Sequence, residues 1–101
     1  MDLEYFKDHI FEELEDAKDY IKRAIEIKPM DATWSKTFVD MSANELMHAT
    51  HLYNMFSQYV NDILAKSYPT MPTYAAKIRD EVTEKYTECS AVVKSMHEMY
   101  K

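Results

Sequence analysis

Residues 34–59 read WSKTFVDMSANELMHATHLYNMFSQY. Within this stretch Trp34, Phe38, Met41, Glu45, His48, Leu52, Met55 and Tyr59 recur at alternating steps of four and three residues, the spacing of one face of an α-helix. Such a stripe marks the buried seam of a packed helix, so Glu45 and His48 are expected to point inward with the apolar residues. The same step runs through Leu3, Phe6, Ile10, Glu13, Ala17, Tyr20, Ala24 and Ile27 in the preceding segment. It returns in Met71, Ala75, Ile78, Val82, Tyr86, Cys89, Val93, Met96 and Tyr100, now apolar throughout. Glu13 is expected to face inward on the strength of its seam alone, since Glu12, Glu15 and Asp16 surround it and a one-residue change of phase puts Leu14 in its place.

Between these stripes lie two breaks, Lys28-Pro29-Met30-Asp31 and Tyr68-Pro69-Thr70-Met71-Pro72, which hold all three prolines. Proline removes a backbone donor and pushes the residue before it out of the helical region. Three helices are therefore predicted, over about 2–28, 32–67 and 71–100. Asp2, then Asp31 or Thr33, then Thr70 are the candidate N-caps. The chain has no glycine, which argues against tight primed hairpins and glycine-rich phosphate loops. Short connections favour antiparallel neighbours, giving an all-α, three-helix up-down-up bundle. The middle helix, roughly 36 residues and ~50 Å long at 1.5 Å per residue, suits such an arrangement.

The 101 residues, 47% hydrophobic and 30% charged, fit one globular domain spanning 1–101. No apolar run nears the ~20 residues that cross a bilayer, and no basic-then-apolar leader opens the chain. A cytoplasmic protein without a membrane partner is expected. The net charge of −6 works against a nucleic-acid partner, whose phosphates need a cationic face. Cys89 is the single cysteine, which excludes an intrachain disulfide and a cysteine-based zinc cluster. It sits on an apolar stripe and reads as an inert thiol. A strained nucleophile turn has no trace in the sequence.

The chemistry lies in the seam. A buried carboxylate survives only if it is neutralised, paired or bound to a cation. Glu45 and His48, three residues apart, project from one helical face with Cβ atoms ~5–6 Å from each other, so both can reach one metal ion. Glu13 lies near the middle of its own stripe, and antiparallel packing brings it level with the pair. The competing reading is a carboxylate–imidazolium pair that fixes helix register. His51, three residues beyond His48, extends the set toward a zinc-like Glu45, His48, His51 site; otherwise it lies at the flank of the stripe, partly exposed. Tyr20 is either a phenol beside the metal or a core tyrosine. Trp34 and the eight methionines read as packing, and the methionines as a plastic interface.

With Glu13 followed by Tyr20, and with Asn44-Glu45-Leu46-Met47-His48 on the second helix, the chain resembles the ferritin-like superfamily over roughly residues 6–60. The likeness is to its short rubrerythrin-like and encapsulated-ferritin-like members. The resemblance implies a carboxylate-bridged di-iron centre that reacts with oxygen or peroxide and oxidises Fe(II), with zinc or manganese as alternative occupants. Glu13 matches the first-helix ligand, and Glu45 and His48 match the second-helix ligands. Full-length members add a second glutamate and a second Glu-x-x-His from two further helices, which the third helix here lacks. Its acids Glu81, Glu84 and Glu88 lie beside the stripe, and His97 follows Lys94 at that spacing. A two-fold homodimer, alone or within a higher homo-oligomer, is therefore expected to double the half-set. The alternative function is a non-enzymatic helical interaction or assembly module.

Overall fold

The computed structural model describes residues 2–64, 66 and 73–101. Among the described residues there are three α-helices and no strand: α1 (Leu3–Ile27), α2 (Ala32–Tyr59) and α3 (Thr73–Tyr100), with a π-helical turn, Val60–Leu64, continuing α2. Asp2 caps α1, its carboxylate accepting the Glu4 N–H at 2.9 Å. Asp31 caps α2 by accepting the Trp34 N–H at 2.9 Å, which settles the choice between Asp31 and Thr33. Each bond satisfies a helix-terminal N–H that has no partner within its own helix. The expected cap Thr70 lies outside the described residues. The middle α-helix is shorter than the expected 32–67, since the α-helical hydrogen-bond pattern gives way after Tyr59.

Side-chain contacts fix the directions. Phe6 meets Phe56, Ser42 bonds to Ala17 and Ser35 to Ala24, so α1 and α2 run in opposite senses. Lys7 pairs with Glu81, Cys89 reaches the Leu14 carbonyl, and Lys28 donates to the Tyr100 carbonyl, so α1 and α3 run in the same sense. α1 carries the larger apolar share of the core, through Leu3, Phe6, Ile10, Leu14, Ala17, Ile21 and Ala24.

Two expected seams differ from those observed. In α1 the fully buried positions are Leu14 and Ile21 where Glu13 and Tyr20 are expected. A run of 3.6 residues per turn lets the core face follow steps of four through Ile10 and Leu14, and this leaves Glu13 at its edge. In α2 the correction is larger. The buried residues are Ser35, Ser42, Ala49 and Phe56, one heptad apart, while Trp34 is 67% exposed, Met41 37% and Met55 54%. Trp34 and these methionines are not core packing within the chain.

Hydroxyls explain the inner face of α2. Ser35 Oγ donates to the Ala24 carbonyl and Ser42 Oγ to the Ala17 carbonyl, both at 2.6 Å. Small residues on both sides, with Ala24 facing Ser35 and Ala17 facing Ser42, let the backbones come close enough for these bonds. Each serine has only one proton to give, so its lone pair accepts from α3. Tyr100 Oη donates to Ser35 Oγ and His97 Nε2 to Ser42 Oγ, each at 2.9 Å. In the same way Thr50 Oγ1 donates to the Leu46 carbonyl and accepts from Tyr86 Oη. α3 is thus tied to α2 by a ladder of side-chain hydrogen bonds, with Tyr53 stacked on Tyr86 at 4.1 Å. Cys89 is buried, and burial pushes its thiol pKa up, as an inert thiol requires.

Candidate functional site

On the α1–α2 side, Glu13, Glu45 and His48 converge. One ligand atom from each lies within 4.8 Å of the others. His48 Nδ1 stands 3.3 Å from Glu45 Oε1 and 3.8 Å from Glu13 Oε2. The helices bring them together as the spacing predicts: Glu45 and His48 are one turn apart on α2, and antiparallel packing sets Glu13 of α1 beside them. The three lie at the edge of the core. The two carboxylate side chains are 22% exposed and the imidazole 50%, so the site opens to solvent through His48.

The carboxylates are in electrostatic conflict. Glu13 Oε2 is enclosed, and no hydrogen-bond donor is directed at it. A proton shared with Glu45 relieves that conflict. This hydrogen bond, ahead of burial and of the negative charge on Glu45, pushes the Glu13 carboxyl up to about 7, while His48 acts in the opposite direction. Asp16 is also raised, by burial first and then by Glu45, Glu12 and Asp19. It belongs to the same acidic environment and was not among the expected ligands. Its signal in the sequence is its place three residues after Glu13, on the same helical face.

An enclosed carboxylate oxygen without a donor, a second carboxylate and an imidazole nitrogen form a donor set that fits a divalent transition metal. Carboxylate and imidazole suit iron, manganese and zinc, whereas a thiolate-preferring ion would find no sulfur here. The three residues are too few to enclose an ion.

The structure separates His51 from this group. His51 is exposed and lines a groove of about 440 Å³ between α2 and α3, with Met47, Thr50, Lys94, His97 and Glu98. Two steps of three residues carry it about 120° around the helix from Glu45. The expected Glu45, His48, His51 combination is therefore not assembled. Tyr20 is half-buried with its ring 6.0 Å from that of Phe38, the position of a packing tyrosine. His97 is held by Ser42, and burial, ahead of the charges of Lys101 and Lys36, lowers its pKa.

No protein-family model, curated protein or solved structure matches the chain. Among the described residues no helix is long and apolar enough to cross a membrane.

Proposed function

We propose that Glu13, Glu45 and His48 are one half of a ferritin-like carboxylate–imidazole metal centre, and that a second copy of the chain supplies the other half. The observation that carries this reading is the enclosed Glu13 Oε2, which lacks a donor and faces a second carboxylate and an imidazole. Enclosing a carboxylate oxygen is costly until a proton or a cation neutralises it, and a cation can take the place of the proton that Glu13 shares with Glu45. Doubling the trio about a two-fold axis gives four carboxylates and two imidazoles around two ions. Iron bound by such ligands supplies one-electron redox chemistry, by which Fe(II) is oxidised at the expense of oxygen or peroxide. In that role Glu13 and Glu45 neutralise cationic charge, and His48 provides the nitrogen donor at the solvent edge of the site.

Anaerobic Fe(II) titration of metal-free protein followed by exposure to oxygen tests the proposal. About one iron per chain is expected, as is an oxidation signal that Glu45→Ala and His48→Ala abolish. Uptake unaffected by either substitution would refute it. Parallel titrations with Mn(II) and Zn(II) identify the preferred ion.

The 3.3 Å approach of His48 Nδ1 to Glu45 Oε1 favours a second reading, a helical assembly module in which the pair only fixes register. Under that reading Glu45→Leu with His48→Leu leaves stability unchanged or higher, and chelators have no effect.

A further inference from the structure

The outer row of the α2 stripe, Trp34, Met41, His48 and Met55, is uncovered within the chain, and the side chains of the stripe complement those of a second copy. Trp34, Met41, His48 and Met55, one heptad apart, are all exposed, while Phe38, Glu45, Leu52 and Tyr59 beside them are half-buried. These eight residues form two adjacent rows of the kind that make a helix–helix seam: Phe38, Leu52 and Tyr59 also pack against the core of the chain, beside the fully buried row of Ser35, Ser42, Ala49 and Phe56, and Trp34, Met41, His48 and Met55 stand outside both. The stripe reads alike in both directions from the midpoint between Glu45 and His48. Positions 45 and 48, 41 and 52, 38 and 55, and 34 and 59 are equidistant from that point.

We infer that this stripe is the seam on which a second copy of the chain packs, antiparallel, about a two-fold axis midway between Glu45 and His48. This inference rests on the half-centre reading above and adds its partner surface and register. In this register Glu45 faces His48 of the second copy, so the two ionisable residues of the seam meet each other at its centre. Met41 faces Leu52, Phe38 faces Met55, and Trp34 faces Tyr59, so the apolar residues also meet one another. A slip by one heptad would set the Glu45 carboxylate against Met41 or Met55 of the second copy, where it loses the second imidazole and is desolvated by an apolar side chain. Charge pairing at a few seam positions is what selects register in helical assemblies.

The surface has a receptor for the outer part of the seam. A groove of about 700 Å³ has an aromatic and apolar wall of Tyr20, Ile27, Trp34 and Phe38 and a charged rim on α1 that includes Asp19 and Glu26. Met55 of the second copy falls at this groove, and an unbranched thioether adapts to an aromatic wall of this kind. The two-fold repeats the contact at the other end of the seam.

The test uses the full chain in EDTA, so that metal plays no part. Sedimentation equilibrium is expected to show a dimer, and Met55→Glu to weaken self-association by at least about tenfold with the helical circular dichroism unchanged. The register is tested by Phe38→Cys combined with Met55→Cys under mild oxidation. The two positions are roughly 25 Å apart on one rigid helix, so a disulfide between them joins two chains. The double variant is expected to form a covalent dimer, and each single variant to remain uncrosslinked. A monomer in EDTA, or single variants that crosslink as well as the double, would overturn the inference. Mn(II) uptake by equilibrium dialysis, after the EDTA has been removed, separates the two claims: a dimer that takes up no metal refutes the metal centre and leaves the seam, whereas a monomer that takes it up refutes the seam and the sharing of the centre between two chains but not metal binding by the trio.

Discussion

Glu13 carries the main pH dependence of the candidate site. Its carboxyl, ordinarily titrating at 4.5, is pushed up to about 7 by the hydrogen bond with Glu45, by burial and by the Glu45 charge. Below pH 4.5 the proton is bound in both folded and unfolded chains. Between 4.5 and about 7 the unfolded chain releases it while the folded chain holds it, so the stabilising contribution is lost as pH rises through that window. Solvent reaching the site through His48 screens the effect, leaving on the order of 1–2 kcal/mol. Denaturant melts in EDTA between pH 5 and 8 should therefore show this loss in the wild type. Glu13→Gln, which keeps the shape and removes the titration, should flatten that part of the profile and be the more stable protein at pH 8. His97 works in the opposite direction. Burial lowers its pKa, so its contribution is present at neutral pH and is lost as pH falls below its ordinary value of 6.5. His97→Gln should reduce the loss of stability on the acid side of pH 6.5.

At the scale of the helices, Ser42 joins all three elements, donating to Ala17 of α1 and accepting from His97 of α3. Ser42→Ala removes both bonds and leaves the imidazole N–H without its partner, a cost of about 1–3 kcal/mol. Ser42→Leu should cost more, because the larger side chain separates backbones that the hydroxyl brings together. Urea melts compare the two. The same contact shows what is legible in the sequence. The break at Pro29 and the caps Asp2 and Asp31 are local backbone chemistry, so the starts of α1 and α2 can be read directly. The inner face of α2 cannot, because Ser35, Ser42 and Ala49 earn their burial through close approach and hydroxyl donation rather than through hydrophobic bulk. The more apolar stripe through Trp34, Met41 and Met55 therefore reads as the core although it lies outside. The meeting of Glu13, Glu45 and His48 is legible from one three-residue step and the antiparallel turn. The exclusion of His51 follows from helical rotation, which a count of nearby histidines ignores.

At the scale of the whole molecule, the proposed pairing of two chains would make stability a function of concentration. Because only the native chain presents the α2 stripe, the melting temperature should rise with protein concentration in EDTA and, in chelator-free buffer, rise further on adding Mn(II). Glu45→Ala should abolish the second increment. Differential scanning calorimetry over a range of concentrations reads both. The series of contacts joining α1 to α2 also bears on how the chain folds. Its first rung, Ser35 to Ala24, spans only 11 residues, its second, Ser42 to Ala17, spans 25, and the Phe6–Phe56 contact lies beyond them at the far end of the hairpin. Each rung formed shortens the loop that the next must close, so the hairpin can zip outward from the Pro29 turn with little entropic cost per step. Local contacts of this order favour folding in microseconds to milliseconds, with Ser35→Ala slowing the folding limb of the chevron and Phe56→Ala chiefly accelerating unfolding.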